Sequence, residues 1–368
     1  IGLGIPAEPL FRSSYVQMAK VGIDNKGPKR EDGSTPSATK FTGTIAGDGV
    51  IKVYGVNDVW YLNLSGNVMP TAFDQAKLMN VVQMSITGAN VESVVLPAYT
   101  KMTQFSFNNS PVKSVDVTNV PSMTSLTINS TTASKYKPQL ESIDLSQNTE
   151  LTYLSLQGNQ NDYGKLTAIN LSTNTKLENV YLQYNALAEV RTDGTYPNLK
   201  LFNAQNNKLT YLSWDKLTTV KGFYLSDNEF AGDFVLKNAT FENLQLKNNR
   251  LTSLKVNNVT KQLWIEGNNM TLATIPAQPA GLNSKNKTKQ FTYAPQAALA
   301  VDETLNTLDL SALLTVVKGE LDANANYASW LENVTTTFSF VTAGGTALVE
   351  GTDYEVTEPG KFKFLTIA

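Results

Sequence analysis

"LESIDLSQNTELTYLSLQGN", residues 140–159, holds one pattern twice: apolar residues at its first, fourth and sixth positions and an asparagine at its ninth. The second pass, "LTYLSLQGN" (151–159), belongs to a set of ten in-register copies running from "VWYLNLSGN" (59–67) to "TKQLWIEGN" (260–268). Their ninth positions are Asn67, Ala89, Ser110, Thr131, Asn159, Asn185, Asn207, Asn228, Asn249 and Asn268, spaced by 22, 21, 21, 28, 26, 22, 21, 21 and 19 residues. Insertions at "TTASKYK" (131–137) and "NDYGK" (161–165) account for the two long intervals, leaving a period of about 21. Such a period marks a solenoid, because one unit cannot bury its apolar side alone and must stack on the next.

Within each copy the alternation of a strand sends the fourth and sixth residues (Leu154 and Leu156) inward and the third, fifth and seventh outward. Stacking carries the ninth side chain inside the coil, where an asparagine amide offers both a donor and acceptors to the neighbouring turns. Leaving such backbone groups unpaired costs about 1–3 kcal/mol each. Ser110 and Thr131 are expected to substitute in part, and Ala89 not at all. The first pass, "LESIDLSQN", returns in "LTAINLSTN" (166–174) and fades in "LAEVRTDGT", "LTYLSWDKL" and "LTSLKVNNV". The persistent set is therefore expected to form the continuous parallel sheet and the fading set the opposite wall.

The stretches "LESIDLSQNTELTYLSLQGN" and "LTAINLSTNTKLENVYLQYN" resemble leucine-rich repeats, and are similar most of all to those of short-repeat surface proteins of Bacteroidetes-type bacteria. The resemblance implies a mostly β fold: a leucine-rich repeat solenoid of about ten repeats with a parallel sheet. It also implies a bacterial protein that is secreted or held at the cell surface, its signal segment lying outside this sequence. From Phe291 onward, short alternating runs ("TTTFSFV", "TALVE", "DYEV", "KFKFLTI") broken by "AGG", "GTD" and "EPG" read as a small antiparallel β-sandwich. That tail resembles the immunoglobulin-like (Ig-like) modules that follow such repeats, without a Cys–Trp–Cys signature. The expected organisation is a β-rich cap over 1–54, the solenoid over 55–275, a Pro/Gly/Asn/Lys linker over 276–290, and the Ig-like sandwich over 291–368, truncated at its end.

The composition narrows the chemistry. The 368 residues are 41% hydrophobic and 17% charged, with a formal net charge of −2, as in a soluble globular protein. With no Cys and no His, thiol nucleophiles, Ser/His/Asp triads, imidazole acid–base chemistry and nearly all zinc sites are excluded. Apolar runs fall short of the roughly 18 residues of a transmembrane segment, and Lys and Arg are scattered singly, so neither a membrane span nor a nucleic-acid partner is expected. In "DNKGPKREDG" (24–33), Asp24, Asn25, Glu31 and Asp32 depart from the order of a calcium loop, and Lys26, Lys29 and Arg30 bring positive charge there. A solvated loop is the favoured reading, with no metal and no cofactor.

Function is therefore sought on the outward rows. The fifth-position row is small and polar in the first five copies (Asn63, Ser85, Ser106, Thr127, Ser155) and then alternates aromatic with amide (Tyr181, Asn203, Tyr224, Gln245, Trp264). At a strand spacing of about 4.8 Å, Tyr181, Tyr224 and Trp264 are expected about 10 Å apart. With their neighbours they give a candidate ligand surface: Tyr153, Tyr181, Gln183, Gln205, Tyr224, Lys247, Trp264 and Glu266. Rings supply contact area and amides supply orientation. The same side chains also fit an exposed pleated surface by packing alone. A glycosidase needs paired carboxylates across a cleft, and Glu266 is the only carboxylate in the three rows, so no catalytic residue is expected. These features favour a non-catalytic, exported binding or adhesion protein with a protein partner; carbohydrate capture by the aromatic half and a spacer without a ligand are the alternatives.

Overall fold

The computed structural model describes residues 18–24, 39–44, 61–65, 81–99, 101–213, 219–271, 274–276, 279, 281–282, 287–293, 296, 307–311, 315–316, 334–335, 337–342 and 344–365. The loop after Asp24 and the ninth-position Asn67 lie outside them. The chain divides into two compact units, Ile1–Val220 and Lys221–Ala368. Among the described residues no helix is long and apolar enough to cross a membrane.

The first unit contains strands β1 (Met18–Asp24), β2 (Thr39–Thr44), β3 (Tyr61–Ser65), β4 (Gln83–Thr87), β5 (Ser93–Val95), β6 (Gln104–Asn108), β7 (Ser114–Asp116), β8 (Ser125–Thr127), β9 (Tyr153–Ser155), β10 (Ala168–Asn170), β11 (Asn179–Tyr181), β12 (Glu189–Arg191) and β13 (Leu201–Asn203). A parallel front sheet runs β3-β4-β6-β8-β9-β11-β13. Its register sets third positions side by side: Tyr61, Gln83, Gln104, Ser125, Tyr153, Asn179 and Leu201. Strand β1 lies antiparallel between β2 and β3, with Lys20 opposite Ser65. The fading set forms the opposite wall, as the short parallel pairs β5–β7 and β10–β12.

The fourth-position side chains make the spine of the core: Leu126 and Leu154 are 0% exposed, Val180 1% and Phe202 3%. Each such burial contributes about 1.5–3 kcal/mol. After the front strand the chain turns through a left-handed eighth residue, with φ of 52° at Asn109, 60° at Tyr184 and 56° at Asn206. Asn tolerates this conformation better than most residues; tyrosine does not. Ser130 and Gly158, the eighth residues of the two copies that carry insertions, are not left-handed. Gly158 answers a different demand, since a Cβ there would stand 2.0 Å from the Tyr184 carbonyl oxygen.

The ninth-position ladder forms with defined bonds. Asn185 donates to the carbonyls of Leu156 (2.8 Å) and Leu182 (3.0 Å), and Asn207 to those of Leu182 (3.0 Å) and Ala204 (3.1 Å). Each amide thus ties the sixth residue of its own coil to that of the coil before. Asn159 departs from the pattern. Its Oδ1 accepts the N–H groups of Asn161 and Asp162, capping its own insertion, and its amide nitrogen reaches only Ser130 Oγ at 3.4 Å. Ser110 is buried as expected, but Thr131 is exposed, and Ser130 takes the interior place one residue earlier because its copy lacks the left-handed step.

The opposite wall carries a second ladder. Buried Asn148 donates to Val117 (3.0 Å) and Val120 (2.8 Å), and Asn174 to Leu145 (3.0 Å) and Asn148 (2.9 Å). On the next coil the Tyr196 hydroxyl donates to the Leu171 carbonyl at 2.7 Å, taking the place of an asparagine. Burial pushes this phenol up to about 12.

Strand β14 (Thr219–Tyr224) runs across the boundary, and the second unit then holds β15 (Ala231–Gln245), β16 (Arg250–Trp264) and β17 (Gln290–Thr292), followed by β18 (Thr307–Asp309), β19 (Thr315–Val316), β20 (Val334–Thr335), β21 (Tyr354–Glu358) and β22 (Lys361–Phe364). Strands β15 and β16 are 15 residues each and pair in parallel across three register shifts, so one bent strand here covers what separate segments do in the first unit. The ladder persists: Asn249 donates to Leu225 and Leu246, both at 3.1 Å, and Asn268 to Leu246 and Ile265, both at 2.9 Å.

The solenoid continues past Asn268. Phe291, expected to open the sandwich, is 1% exposed and pairs in parallel with Leu263; Gln290, expected in the linker, pairs with Gln262. "TKQFTYAPQ" (288–296) is therefore an eleventh copy with glutamine at its ninth position. Gln296 donates to Ile265 at 3.0 Å and to Tyr293, and its Oε1 accepts the Met270 N–H at 3.1 Å. Beyond it, β18, β22 and β21 form a small antiparallel sheet and β19–β20 a two-stranded ladder. Phe340 meets Tyr354, Phe362 and Phe364 nearly edge-on at centroid distances of 5.0, 4.8 and 5.2 Å.

Candidate binding face

In the first unit the strand register brings Tyr153 and Tyr181 together. Tyr153 stands opposite Asn179, so Tyr181 is its diagonal neighbour, and the two rings lie 5.6 Å apart at 44°. Burial, helped by the neighbouring Tyr181, holds the Tyr153 phenol above its ordinary range, and a hydrogen bond with Ser155 draws it partly back. Ser155, expected to face outward, is only 1% exposed: it lies beside Tyr153, with its hydroxyl donating to Asn129 Oδ1 at 3.0 Å.

The seventh-position row is linked coil to coil from Asn108 to Gln183. Asn129 N–H donates to Asn108 Oδ1 (3.0 Å), Gln157 N–H to Asn129 Oδ1 (3.1 Å), and Gln183 Nε2 to Gln157 Oε1. Gln183 Oε1 is left buried without a partner. Gln205 is half-buried one coil further on, and its backbone N–H donates to Asn203 Oδ1 at 3.2 Å. The Gln157 and Gln183 side chains are bonded to each other, and Asn108 and Asn129 are held by backbone N–H groups of the next coil, which lowers the entropy that docking would have to remove.

In the second unit Lys247, Trp264 and Glu266 come together. Lys247 Nζ lies 2.8 Å from Glu266 Oε1 and 5.4 Å from the Trp264 ring centroid, and Thr292 Oγ1 donates to Glu266 Oε2. The Lys247 and Glu266 side chains are 34% and 17% exposed, so the pair is screened less than a surface ion pair. Trp264 Nε1 is buried without a partner. Tyr224 sits on β14, two strands from Trp264, with Gln245 of β15 between them. Its ring lies down along its own strand, 2.8 Å from where a Cβ at Gly222 would stand, so only glycine at that third position allows the pose.

Two contributors escaped the sequence reading. Thr292 belongs to the eleventh copy, hidden because its ninth residue is Gln296. Second positions form charged clamps, Glu178–Lys200 at 2.5 Å and Glu242–Lys261 at 2.7 Å, for which a Glu and a Lys at the second positions of consecutive copies were the available signal. Exposed pairs of this kind contribute at most about 1 kcal/mol. Among the described residues no group of three or more carboxylates is placed to hold a metal ion.

No protein-family model matches the chain. No curated protein matches it either. Among solved structures, an internalin (inlF) from Listeria monocytogenes is 15% identical, with a TM-score of 0.36 over 59% of this chain and 75% of that one. The functional domain of InlJ from Listeria monocytogenes, which includes a cysteine ladder, is 14% identical, with a TM-score of 0.25 over 79% and 89%. The Toll–Spatzle complex of Drosophila is 13% identical, with a TM-score of 0.37 over 61% of this chain and 39% of that one.

Proposed function

We propose that this chain is a non-catalytic, exported binding protein of the secreted or cell-surface kind, whose front sheet docks a protein partner while the C-terminal antiparallel sheet, read as an Ig-like module, supports or spaces it. The observation that carries the reading is the Tyr153–Tyr181 ring pair beside the Gln157–Gln183 amide bond. Paired rings offer a large contact area at low entropic cost, and the amides beside them fix orientation. The carbohydrate alternative is disfavoured by Lys247, whose ammonium covers one face of the Trp264 ring.

The test is photo-crosslinking from a reactive residue placed at Gln205, in the presence of bacterial and host surface extracts, run beside a glycan array. A discrete protein adduct that disappears in Tyr153→Ala/Tyr181→Ala is expected. An adduct of equal yield in that double variant sinks the reading. A glycan signal abolished by Trp264→Ala, with no protein adduct, would put the carbohydrate alternative in its place.

A further inference from the structure

The two insertions are not required by the scaffold. Copies on either side of them close the same turn with one left-handed residue, Asn109 before and Tyr184 and Asn206 after. Loops of five to seven residues in its place cost closure entropy, against which the second loop gains a bond from the Gly164 N–H to the Tyr184 carbonyl at 2.8 Å. They also fit the core imperfectly: a cavity of about 20 Å³, room for one water, is lined by Gly164 of the second loop, by Ser130 and Pro138 on either side of the first, and by Phe107, Leu140 and Leu156 of the coils.

What the loops do is fix each other and display a charged, aromatic ridge. Lys137 Nζ of the first stands 2.7 Å from Asp162 Oδ1 of the second. Tyr163 reaches two coils beyond its own, its ring edge-on to Tyr184 at 5.6 Å and its hydroxyl donating to Asn206 Oδ1 at 2.9 Å, yet the residue stays 50% exposed. Lys135, over the Tyr136 ring at 4.7 Å, and Lys165 are both exposed. With Lys137 balanced by Asp162, these two lysines leave the ridge positive on a chain whose net charge is −2.

We infer that this ridge is a second docking surface, separate from the front face, and that its occupant is an acidic polypeptide segment. Carboxylates of the segment pair with Lys135 and Lys165, and an apolar side chain between them packs on the exposed edge of Tyr163. The braced loops hold these groups in place before the partner arrives, which keeps the ordering cost of binding low.

Fluorescence anisotropy with a labelled oligoglutamate peptide carrying one leucine tests the inference on the full chain. Binding at low ionic strength that weakens with added salt is expected. It should fall about tenfold in Lys135→Glu/Lys165→Glu and in Tyr163→Ala. Tyr153→Ala/Tyr181→Ala should leave it unchanged, which separates this surface from the front face. Three outcomes overturn the inference: no binding at low salt, undiminished binding by a charge-reversed protein that keeps its thermal unfolding midpoint, or capture of a sulfated polysaccharide while the peptide is ignored.

Discussion

Asn207 and Leu182 join two coils: the amide nitrogen of Asn207 donates to the Leu182 carbonyl at 3.0 Å, while its Oδ1 accepts the Leu187 N–H, also at 3.0 Å. Removing the side chain orphans buried backbone groups, so Asn207→Ala should destabilise by about 1–3 kcal/mol in urea unfolding. Asn207→Asp keeps the shape but turns an acceptor toward two carbonyls. Its neutral form is favoured in the fold, so its deficit should be smallest at acid pH and grow as pH rises through the raised carboxyl pKa.

The eighth position predicts a contrast rather than a loss. Asn248 has φ of 52° and is exposed, its amide donating to Asp227 Oδ1 at 2.7 Å. Asn248→Gly should leave the unfolding midpoint nearly unchanged. Asn248→Val should be less stable than the glycine variant by about 1–2 kcal/mol, because a β-branched residue resists the left-handed conformation.

Tyr196 makes alkaline stability informative. Its folded phenol is raised from 10.0 to about 12 by burial, and burial raises Tyr99 too. Above pH 10 the unfolded chain holds fewer protons than the folded one, so stability is full below that pH and is lost as pH climbs through the folded value. Spectrophotometric tyrosine titration should show late-ionising phenols whose deprotonation coincides with loss of far-ultraviolet structure. Tyr196→Phe removes one of them and leaves the Leu171 carbonyl with the Asn174 N–H as its donor.

Gln296 predicts where the solenoid can be cut. A chain ending at Lys289 loses Phe291 and the bonds from Gln296 to Ile265 and Met270. It should bind an apolar dye and unfold at lower temperature than a chain ending shortly after Gln296. Equal midpoints for the two would contradict the eleventh rung.

The scaffold was legible where residue type and spacing repeat. Leu154, Leu156 and the register of third positions from Tyr61 to Leu201 follow from the nine-residue pattern, since a strand alternates and stacked units must align. The reading missed rungs whose chemistry is equivalent but whose letter differs, as with Tyr196 and Gln296. It over-assigned Thr131 because an insertion moves the inward turn by one residue. On the face, the meeting of Tyr153 with Tyr181 and of Lys247 with Glu266 could have been read from register, but the burial of Ser155 could not.

Sequence by itself determined that this chain coils with a period near 21, which side of each strand is apolar, and that an amide ladder ties the turns, because each of these is a local demand repeated until chance is excluded. Tertiary structure decided which outward side chains are spent on one another, that Asn159 caps its own loop rather than bridging coils, and that the two insertions brace each other through Lys137 and Asp162. Those outcomes depend on which residues the fold sets in contact, some 2 or 3 apart in the chain and others as far as 43, a geometry the pattern constrains but does not contain.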